Sequence, residues 1–482
     1  MFQKVVLSIV LFFAFSIVAF FLLIKVIDFN EYKPRLQKMI KDATGYELII
    51  KGDITLSLSP VGISVLDIEV FNPHEKEKGA FATLKSFDVA LEVAPLLTKE
   101  IKIHYLSLDS LALTLEKNEQ EQFNFELPTV SKKEEAKPST EQNTTLEKAP
   151  LLPLVNVKEI KFSNAHVSYH DVRQKETLQI KGINFDIDNI HYDPSKHKFQ
   201  GLSFIADASI GSLNYGEYGI KEIYMPLEMK ESVLSSENVQ FTLFETPSQG
   251  TLKIDLSGKQ PKLSLKSKLE QLKLAQVSKE ILKKEILEGK ANADLKLSFF
   301  LNDTLTFKNT VNGFIHVSGE NVTFKGYDID KIVTSVDASK GLSMMLLNVI
   351  KSTQEAKTLL KEVNAKVDIG YSEVHLSDVA ASTAKNRLAI KGSVNIVEEK
   401  FQEMKVALLN AKGCATLTQT IEGTFQKPVF NVNETVLNTL SQVAFSLLNK
   451  SKSSNKTVDS PQVETDENCT VFYEGVVKHP SL

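Results

Sequence analysis

The chain has 482 residues, of which 42% are apolar and 24% charged, and its formal net charge is −4. This composition excludes a disordered chain and a polytopic membrane protein, and the near-neutral charge argues against a dedicated nucleic-acid-binding protein. The two cysteines exclude a disulfide-dense scaffold, and the length predicts several domains or one elongated body.

An apolar segment near the amino terminus is long enough to cross a membrane. Residues 5–24 contain only two polar members, both serines, and Lys4 and Lys25 bracket them. As a helix with a rise of about 1.5 Å per residue, the segment spans roughly 30 Å, the thickness of a bilayer's hydrocarbon core. No small-residue cleavage site follows, so we predict an uncleaved transmembrane signal anchor over residues 1–25. The position of Lys4 predicts a cytoplasmic amino terminus, with the bulk of the chain across the membrane.

A short helix is predicted directly after the anchor. Asp28 is a suitable amino-terminal cap, Gly45 is a suitable stop, and apolar residues recur at helical spacing over residues 28–44.

Beyond Gly45 the apolar period changes to two, which predicts strands with one apolar and one polar face. The alternating segments are 54–59, 101–103, 111–115, 167–169, 178–180, 183–187, 252–256, 263–265, 295–297, 367–369, 388–390 and 394–396. Lysine-glycine pairs within 51–53, 181–182 and 391–392 are interpreted as turns between strands.

Several segments interrupt this pattern. Residues 274–287 and 342–363 look helical, and residues 433–450 form a predicted amphipathic helix. Residues 128–150 are predicted to be a disordered linker, and residues 451–482 are predicted to be a mostly disordered tail. The linker divides a predicted helix-plus-sheet domain at 26–127 from an extended β region with helical insertions at 151–432.

About twenty strands at a spacing of about 4.8 Å would make a sheet of about 100 Å, which must curl, split or form a groove. The apolar face then meets either a second sheet, as in a sandwich, or a ligand with hydrocarbon character. Periodicity leaves both alternatives open.

A series of short motifs runs through the chain: the anchor, then residues 28–32, 44–48, 52–54, 60–68, 81–115, 123–125, 167–171 and 421–428. This series resembles the AsmA family of envelope proteins in Gram-negative bacteria. The chain departs from the family in having no tryptophan, where the family usually places one after the Asn124 equivalent. The segment after Pro428 matches no part of the family pattern.

The resemblance implies a fold and a function. AsmA-like proteins are similar to TamB and to chorein-type bridge proteins, so the expected fold is mainly β: a transmembrane helix, then an elongated, curled antiparallel β-sheet groove with a few short helices. The implied function is conduction of phospholipids toward the outer membrane by a protein anchored in the inner membrane and facing the periplasm, with an outer-membrane or envelope-assembly partner. The alternative is a non-transporting tether or assembly factor for outer-membrane proteins.

The groove would need apolar floor residues rather than a chemical site. The candidates are Ile54, Leu56, Leu58, Ile101, Ile103, Tyr169, Ile183, Phe185, Ile187, Leu295, Leu297, Val367 and Ile369. For each of them, plain core packing is the competing interpretation.

The sequence shows no pattern typical of catalysis. His166 and His170 flank an alternating strand, which would place them roughly 13 Å apart, too far to share a metal ion. No nucleotide-binding, hydrolase or zinc-protease motif is present. We therefore expect no enzyme activity, metal or cofactor, and an envelope hydrolase with an unrecognised site is a remote third alternative.

Two kinds of covalent modification are predicted. In an oxidising compartment Cys414 and Cys469 can form a disulfide, which would tie the tail to the last strands, although two unpaired thiols are the alternative. Asn143 and Asn468 lie in sequences that resemble the extended acidic sequon of bacterial N-glycosylation.

Overall fold

The computed structural model describes residues 28–58, 61–92, 103–127, 157–196, 198–301, 308–326, 328–331, 333, 356–431 and 470–482. The predicted anchor, the linker at 128–150 and the predicted helix at 433–450 lie outside these residues. Among the described helices, none combines the length and apolar character needed to cross a bilayer.

The chain divides into two compact units. The amino-terminal unit comprises residues 1–192 and 204–216, and the carboxy-terminal unit comprises residues 193–203 and 217–482. The division therefore falls near residues 193–216, whereas the sequence predicts a boundary at the linker 128–150.

The predicted first helix is confirmed with both of its ends. A 3₁₀ turn, Phe29–Tyr32, continues into helix α1 (Lys33–Thr44). The Asp28 carboxylate accepts a hydrogen bond of 2.9 Å from the backbone N–H of Asn30. Gly45 ends the helix with a φ of +79°, a left-handed conformation that glycine adopts at little cost. Further 3₁₀ turns occur at Lys76–Lys78 and Lys198–Gly201.

The amino-terminal unit is a mixed sheet. Its strands are β1 (Glu47–Ile50), β2 (Ile54–Leu58), β3 (Val61–Phe71), β4 (Ala82–Leu91), β5 (Ile103–Asp109), β6 (Ala112–Lys117), β7 (Glu159–Asp171), β8 (Glu176–Tyr192) and, from residue 204, β9 (Leu202–Tyr215). Strands β1 and β2 pair with β3, and β5 and β6 lie between β4 and β7. Strand β7 runs parallel to β5 and β6, so the predicted purely antiparallel sheet is wrong here. The long connection before β7 allows this parallel pairing, and it joins residues 157–192 to the amino-terminal unit.

The carboxy-terminal unit is an antiparallel meander. Its elements are β10 (Tyr218–Lys230), β11 (Val233–Leu243), β12 (Thr246–Asp255), β13 (Lys262–Lys273), α2 (Leu274–Leu282), β14 (Leu287–Glu288), β15 (Lys290–Phe300), β16 (Asn312–Lys325), β17 (Lys357–Gly370), β18 (Glu373–Ser382), β19 (Arg387–Asn395), β20 (Lys400–Leu409), β21 (Ala415–Gly423) and β22 (Pro428–Asn431). Each long strand pairs with the next along the chain, and β14 and β15 both pair with β16.

Two of the predicted helices differ from the structure. Helix α2 ends at Leu282 rather than 287, because the chain turns there into β14. The predicted helix at 342–363 is wrong over residues 357–363, which begin β17; residues 342–355 lie outside the described part of the chain. Thr358 and Leu360 are buried while their neighbours are exposed, so burial here follows a period of two.

The predicted lysine-glycine turns are irregularities inside paired strands. Gly182 lies within β8 with a φ of +65°, and Gly392 lies within β19 with a φ of +125°. At both positions the pairing register shifts, as in a β-bulge. Lys51 and Gly52 likewise continue to donate hydrogen bonds to β3 between β1 and β2. Glycine in these strands supplies a bend and does not reverse the chain.

The last residues of the chain are ordered, in contrast to the predicted mostly disordered tail. Over residues 470–482 the chain packs on the carboxy-terminal unit, and Tyr473 and Val477 are buried against Ala380, Ala389 and Ala407. Cross-strand pairing puts these three alanines side by side on β18, β19 and β20, where their small size leaves a trough. Residues 451–469 lie outside the described part of the chain.

Cys414 lies beside this tail. It is disulfide-bonded, and its backbone forms a β-bridge with Val471. The predicted partner, Cys469, lies outside the described residues, so the identity of the bond stays a prediction.

Candidate functional site

Cross-strand pairing in the amino-terminal unit aligns apolar side chains into rows that run perpendicular to the strands. One row is Leu56, Ile63, Val89, Leu106, Ile160 and Ile187. A second row is Ile54, Val65, Phe87, Leu108, Phe162 and Phe185. The rows stand two residues apart on every strand, so they share one face, which we call the amino-terminal apolar face.

The carboxy-terminal unit carries a corresponding face. One row is Leu252, Leu265, Leu297, Gly313, Ile369, Val374, Val394 and Phe401. The next row is Ser267, Leu295, Ile315, Val367 and Leu376. A third is Leu269, Ala293, Val317, Ala365, Val379, Ile390 and Val406. Together these rows form the carboxy-terminal apolar face.

The side chains of both faces are mostly half-buried. Apart from Ile54, every member of the two amino-terminal rows is at least partly accessible, and Ile63 is 48% exposed. In the carboxy-terminal rows, the leucines, isoleucines and valines at positions 295, 297, 315, 367 and 369 are also half-buried. Side chains enclosed between two sheets of a sandwich would be sealed from water. The partial exposure therefore favours the groove-like alternative.

The opposite side of the carboxy-terminal sheet has a different chemistry. The residues paired between the first two rows, but on the other face, are Lys266, Lys296, Phe314, Asp368, His375, Ser393 and Gln402. Six of these seven are polar or charged. At the level of these two rows, only one side of the sheet is therefore suited to contact hydrocarbon.

Helix α2 covers one end of the carboxy-terminal apolar face. Its Val277 packs against Leu269 and Ala293, and its Leu274 is buried with Ala291. The helix follows β13 directly, so the chain folds back over the ends of the rows.

Most of the predicted floor residues lie in these rows. Ile54, Leu56, Phe185 and Ile187 belong to the amino-terminal apolar face. Leu295, Leu297, Val367 and Ile369 belong to the carboxy-terminal face.

Five other candidates lie elsewhere or are incompletely described. Ile103 pairs with Leu91 across an irregular register. Ile183 pairs with Ala165, and Tyr169 with Leu178, beyond the β-bulges of β7 and β8. Leu58 pairs with Val61, although its side chain is outside the described part, as is the whole of Ile101.

Several central members of the rows were not among the floor residues predicted from the sequence. Val65 and Phe87 lie on strands in which the apolar residues change from one face to the other along the strand. Ile315 has the apolar Phe314 beside it, on the other face. The one signal that could have found them was the recurrence of an apolar residue two positions away, as at Val89 and Val317.

The amino-terminal family motifs meet in an aromatic cluster. Phe123 and Phe125 stack with ring centroids 5.0 Å apart, and Phe81 lies 5.4 Å from Tyr46. The Tyr46 hydroxyl donates to the Phe125 carbonyl oxygen over 2.9 Å, and Tyr169 approaches Phe123 at 6.3 Å. These motif residues therefore pack against one another in the amino-terminal unit.

The Asn124 side chain hydrogen-bonds to the backbone of β6, as a neighbouring strand would. Its side-chain Oδ1 accepts from the backbone N–H of Glu116 over 3.0 Å, and its Nδ2 donates to the Thr114 carbonyl over 2.8 Å. Nearby, the buried Asn72 donates to the backbone carbonyls of Asn124 and Glu126. We call Asn72 and Asn124 the asparagine clasp.

Half-buried Tyr169 and buried Asp171 form a polar pair next to this cluster. The Tyr169 hydroxyl donates to the Asp171 carboxylate over 3.2 Å. Burial, with the negative charge of Asp171, raises the pKa of Tyr169 to about 12, so the phenol stays neutral. The backbone N–H of Gln174 lowers the pKa of Asp171, with further help from Tyr169 and Lys117.

No group of His, Cys, Asp or Glu with metal-binding geometry occurs among the described residues. His166 and His170 both lie on β7 and face different partners, Ala112 and Glu116. The predicted glycosylation residues Asn143 and Asn468 lie outside the described part of the chain.

Comparison with known proteins agrees with the motif pattern. Residues 1–210 match the model of the AsmA family, a range that includes the predicted anchor segment, helix α1 and strands β1 to β8. A search of curated proteins gives no significant match. Over residues 1–210 the chain is therefore similar to the AsmA family, as its motifs predict.

Proposed function

We propose that this chain binds phospholipids along its apolar sheet faces and conducts them toward the outer membrane, as a membrane-anchored protein of the bacterial envelope. The observation that carries the proposal is the alignment of half-buried apolar side chains in rows across successive strands. The AsmA family match supports an envelope role.

The physical chemistry of the rows suits acyl chains. Shielding one methylene group from water contributes about 0.8 kcal/mol, so a long acyl chain gains several times that by lying along the rows. The interaction is non-directional and repeats from strand to strand, which lets a lipid slide without a deep energy minimum. The headgroup would stay in water at the open side, and no catalytic group is needed.

Photo-crosslinking at neighbouring positions tests the proposal. A photoreactive amino acid at Leu297 would lie on the carboxy-terminal apolar face, whereas one at Lys296 would lie on the opposite face of the same strand. Phe185 and Asp186 form the same kind of pair in the amino-terminal unit. With the full chain in phospholipid vesicles, we expect lipid adducts, read by mass spectrometry, at 297 and 185 and several-fold fewer at 296 and 186.

Charge substitutions give a second measurement. Leu297→Glu should lower the phospholipid that co-purifies with the full chain, while Lys296→Glu should leave it unchanged. Equal adducts on both faces, or unchanged lipid in Leu297→Glu, would contradict lipid conduction. That outcome would favour the alternative of a non-transporting tether or assembly factor.

A further inference from the structure

Helix α1 presents an apolar stripe away from the sheet. Tyr32 is 51% exposed, Leu36 is 37% exposed and Met39 is 59% exposed, and the helix buries none of its residues. These positions recur every three or four residues, so they line one side of the helix. Another side is held to the sheet, where the Gln37 amide donates to the Leu48 carbonyl over 3.0 Å.

Helix α1 carries three exposed basic residues, and acidic Glu31 lies in the turn before it. Arg35, Lys38 and Lys41 are exposed, and none of the three forms an ion pair within the part of the chain that the structure describes. Asp42 is the single acidic residue of the helix. A helix that combines an exposed apolar stripe with exposed basic residues is typical of helices that lie in the interface of an anionic bilayer.

The preceding chain limits how far this helix can be from a membrane. The apolar run of the predicted anchor ends at Ile24, four positions before Asp28. Four extended residues reach at most about 14 Å, so the start of the helical region would lie no more than about 14 Å from the edge of the hydrocarbon core. A bilayer surface is thus the occupant that both the charge and the chain length favour.

We propose that helix α1 lies in the headgroup region of an anionic bilayer, with Tyr32, Leu36 and Met39 facing the acyl chains. This contact would hold the first strands of the amino-terminal unit at the membrane surface. It goes beyond lipid binding by the sheet, because the helix can contact a bilayer whether or not the apolar faces take up lipid.

Lipid-dependent fluorescence quenching tests this placement in the full chain. In the variant Met39→Cys, an environment-sensitive dye is attached to the new cysteine. The protein is reconstituted into vesicles of phosphatidylethanolamine and phosphatidylglycerol that also contain lipids with a nitroxide near the headgroup. Lys85→Cys is the matched control, since Lys85 is 71% exposed on β4 of the same unit. The unsubstituted chain, labelled in parallel, gives the background.

We expect the dye at position 39 to be quenched at least threefold more than the dye at position 85. Replacing Arg35, Lys38 and Lys41 by Gln, or using phosphatidylcholine vesicles alone, should reduce that difference. Equal quenching at both positions would overturn the proposal, as would a blue-shifted dye at 39 that nitroxide lipids cannot quench, since a protein surface would then cover the stripe. Crosslinking at Leu297 is independent of this result, so the two proposals can fail separately.

Discussion

The two units of the chain build similar apolar faces from different strand connections. In the amino-terminal unit β1 with β2, and β5 with β6, act as broken strands, and β7 joins them in parallel. In the carboxy-terminal unit nearly every strand pairs antiparallel with the next. Both nevertheless align apolar residues in rows, because register and alternation determine which side chains share a face, whatever the order of the strands.

The units differ more in how their ends are held. The amino-terminal unit uses the asparagine clasp and stacked rings, with Asn72 buried beneath the segment that carries Asn124. The carboxy-terminal unit uses the ordered tail, which lies in the alanine trough on the side away from its apolar face. A sheet of repeating strands thus needs specific side-chain contacts mainly at its ends.

Substitution of a buried tail residue should have the largest effect. Val477 has no exposed surface, so Val477→Asp would bury an unpaired charge at a cost of about 3–5 kcal/mol or release the tail. We expect faster hydrogen exchange in β18 to β20, measured by mass spectrometry on the full chain. Val476, which is 55% exposed, offers the control Val476→Asp, and similar exchange in the two variants would contradict a docked tail.

The asparagine clasp should contribute less. Asn72→Ala leaves the carbonyl oxygens of Asn124 and Glu126 without their side-chain donor, which should destabilise the amino-terminal unit by about 2 kcal/mol. Denaturant unfolding followed by limited proteolysis would measure the loss. The exposed Asn238→Ala should change stability by less than about 0.5 kcal/mol, and an equal effect of both changes would show that the clasp is not stabilising.

A smaller effect is expected from Tyr473→Phe. The Tyr473 hydroxyl donates to Asp378 over 2.6 Å and accepts from the backbone N–H of Val477 over 3.2 Å. Its removal keeps the ring in the trough but leaves that N–H unpaired, at a cost of about 1 kcal/mol. Hydrogen exchange of residues 470–482 should rise modestly, whereas Tyr371→Phe, at a position 80% exposed, should leave it unchanged.

The smallest effect should depend on pH. The pKa of Asp171 is lower in the folded protein, so its carboxylate stabilises the fold above the unfolded value of about 3.9, and this stabilisation is lost as the pH falls through the folded pKa. Asp171→Asn should therefore be less stable than the unsubstituted chain at pH 7, with the difference shrinking below pH 4. Denaturant midpoints at both pH values measure this, with exposed Asp188→Asn as the control. A difference that persists at low pH would show that charge is not responsible.

Much of the local structure could be predicted from the sequence. Asp28 and Gly45 correctly mark the limits of the first helical region, and alternation identifies positions such as Leu295 and Val367 that do share a face. The β-bulges at Gly182 and Gly392 are harder to predict from the sequence, because glycine is common both in turns and in β-bulges. Only the presence of a pairing strand on each side distinguishes the two.

The sequence by itself determined which residues alternate, where helix α1 begins and ends, and the similarity of residues 1–210 to the AsmA family. Backbone periodicity and capping depend on near neighbours, which is why they can be predicted locally. The tertiary structure alone decided which strands are adjacent, that β7 runs parallel to β5 and β6, and that the tail fills the alanine trough. Those features rest on contacts between residues far apart in the chain. Tyr473 and Asp378, for example, are separated by 95 positions, a distance over which no local pattern predicts a hydrogen bond.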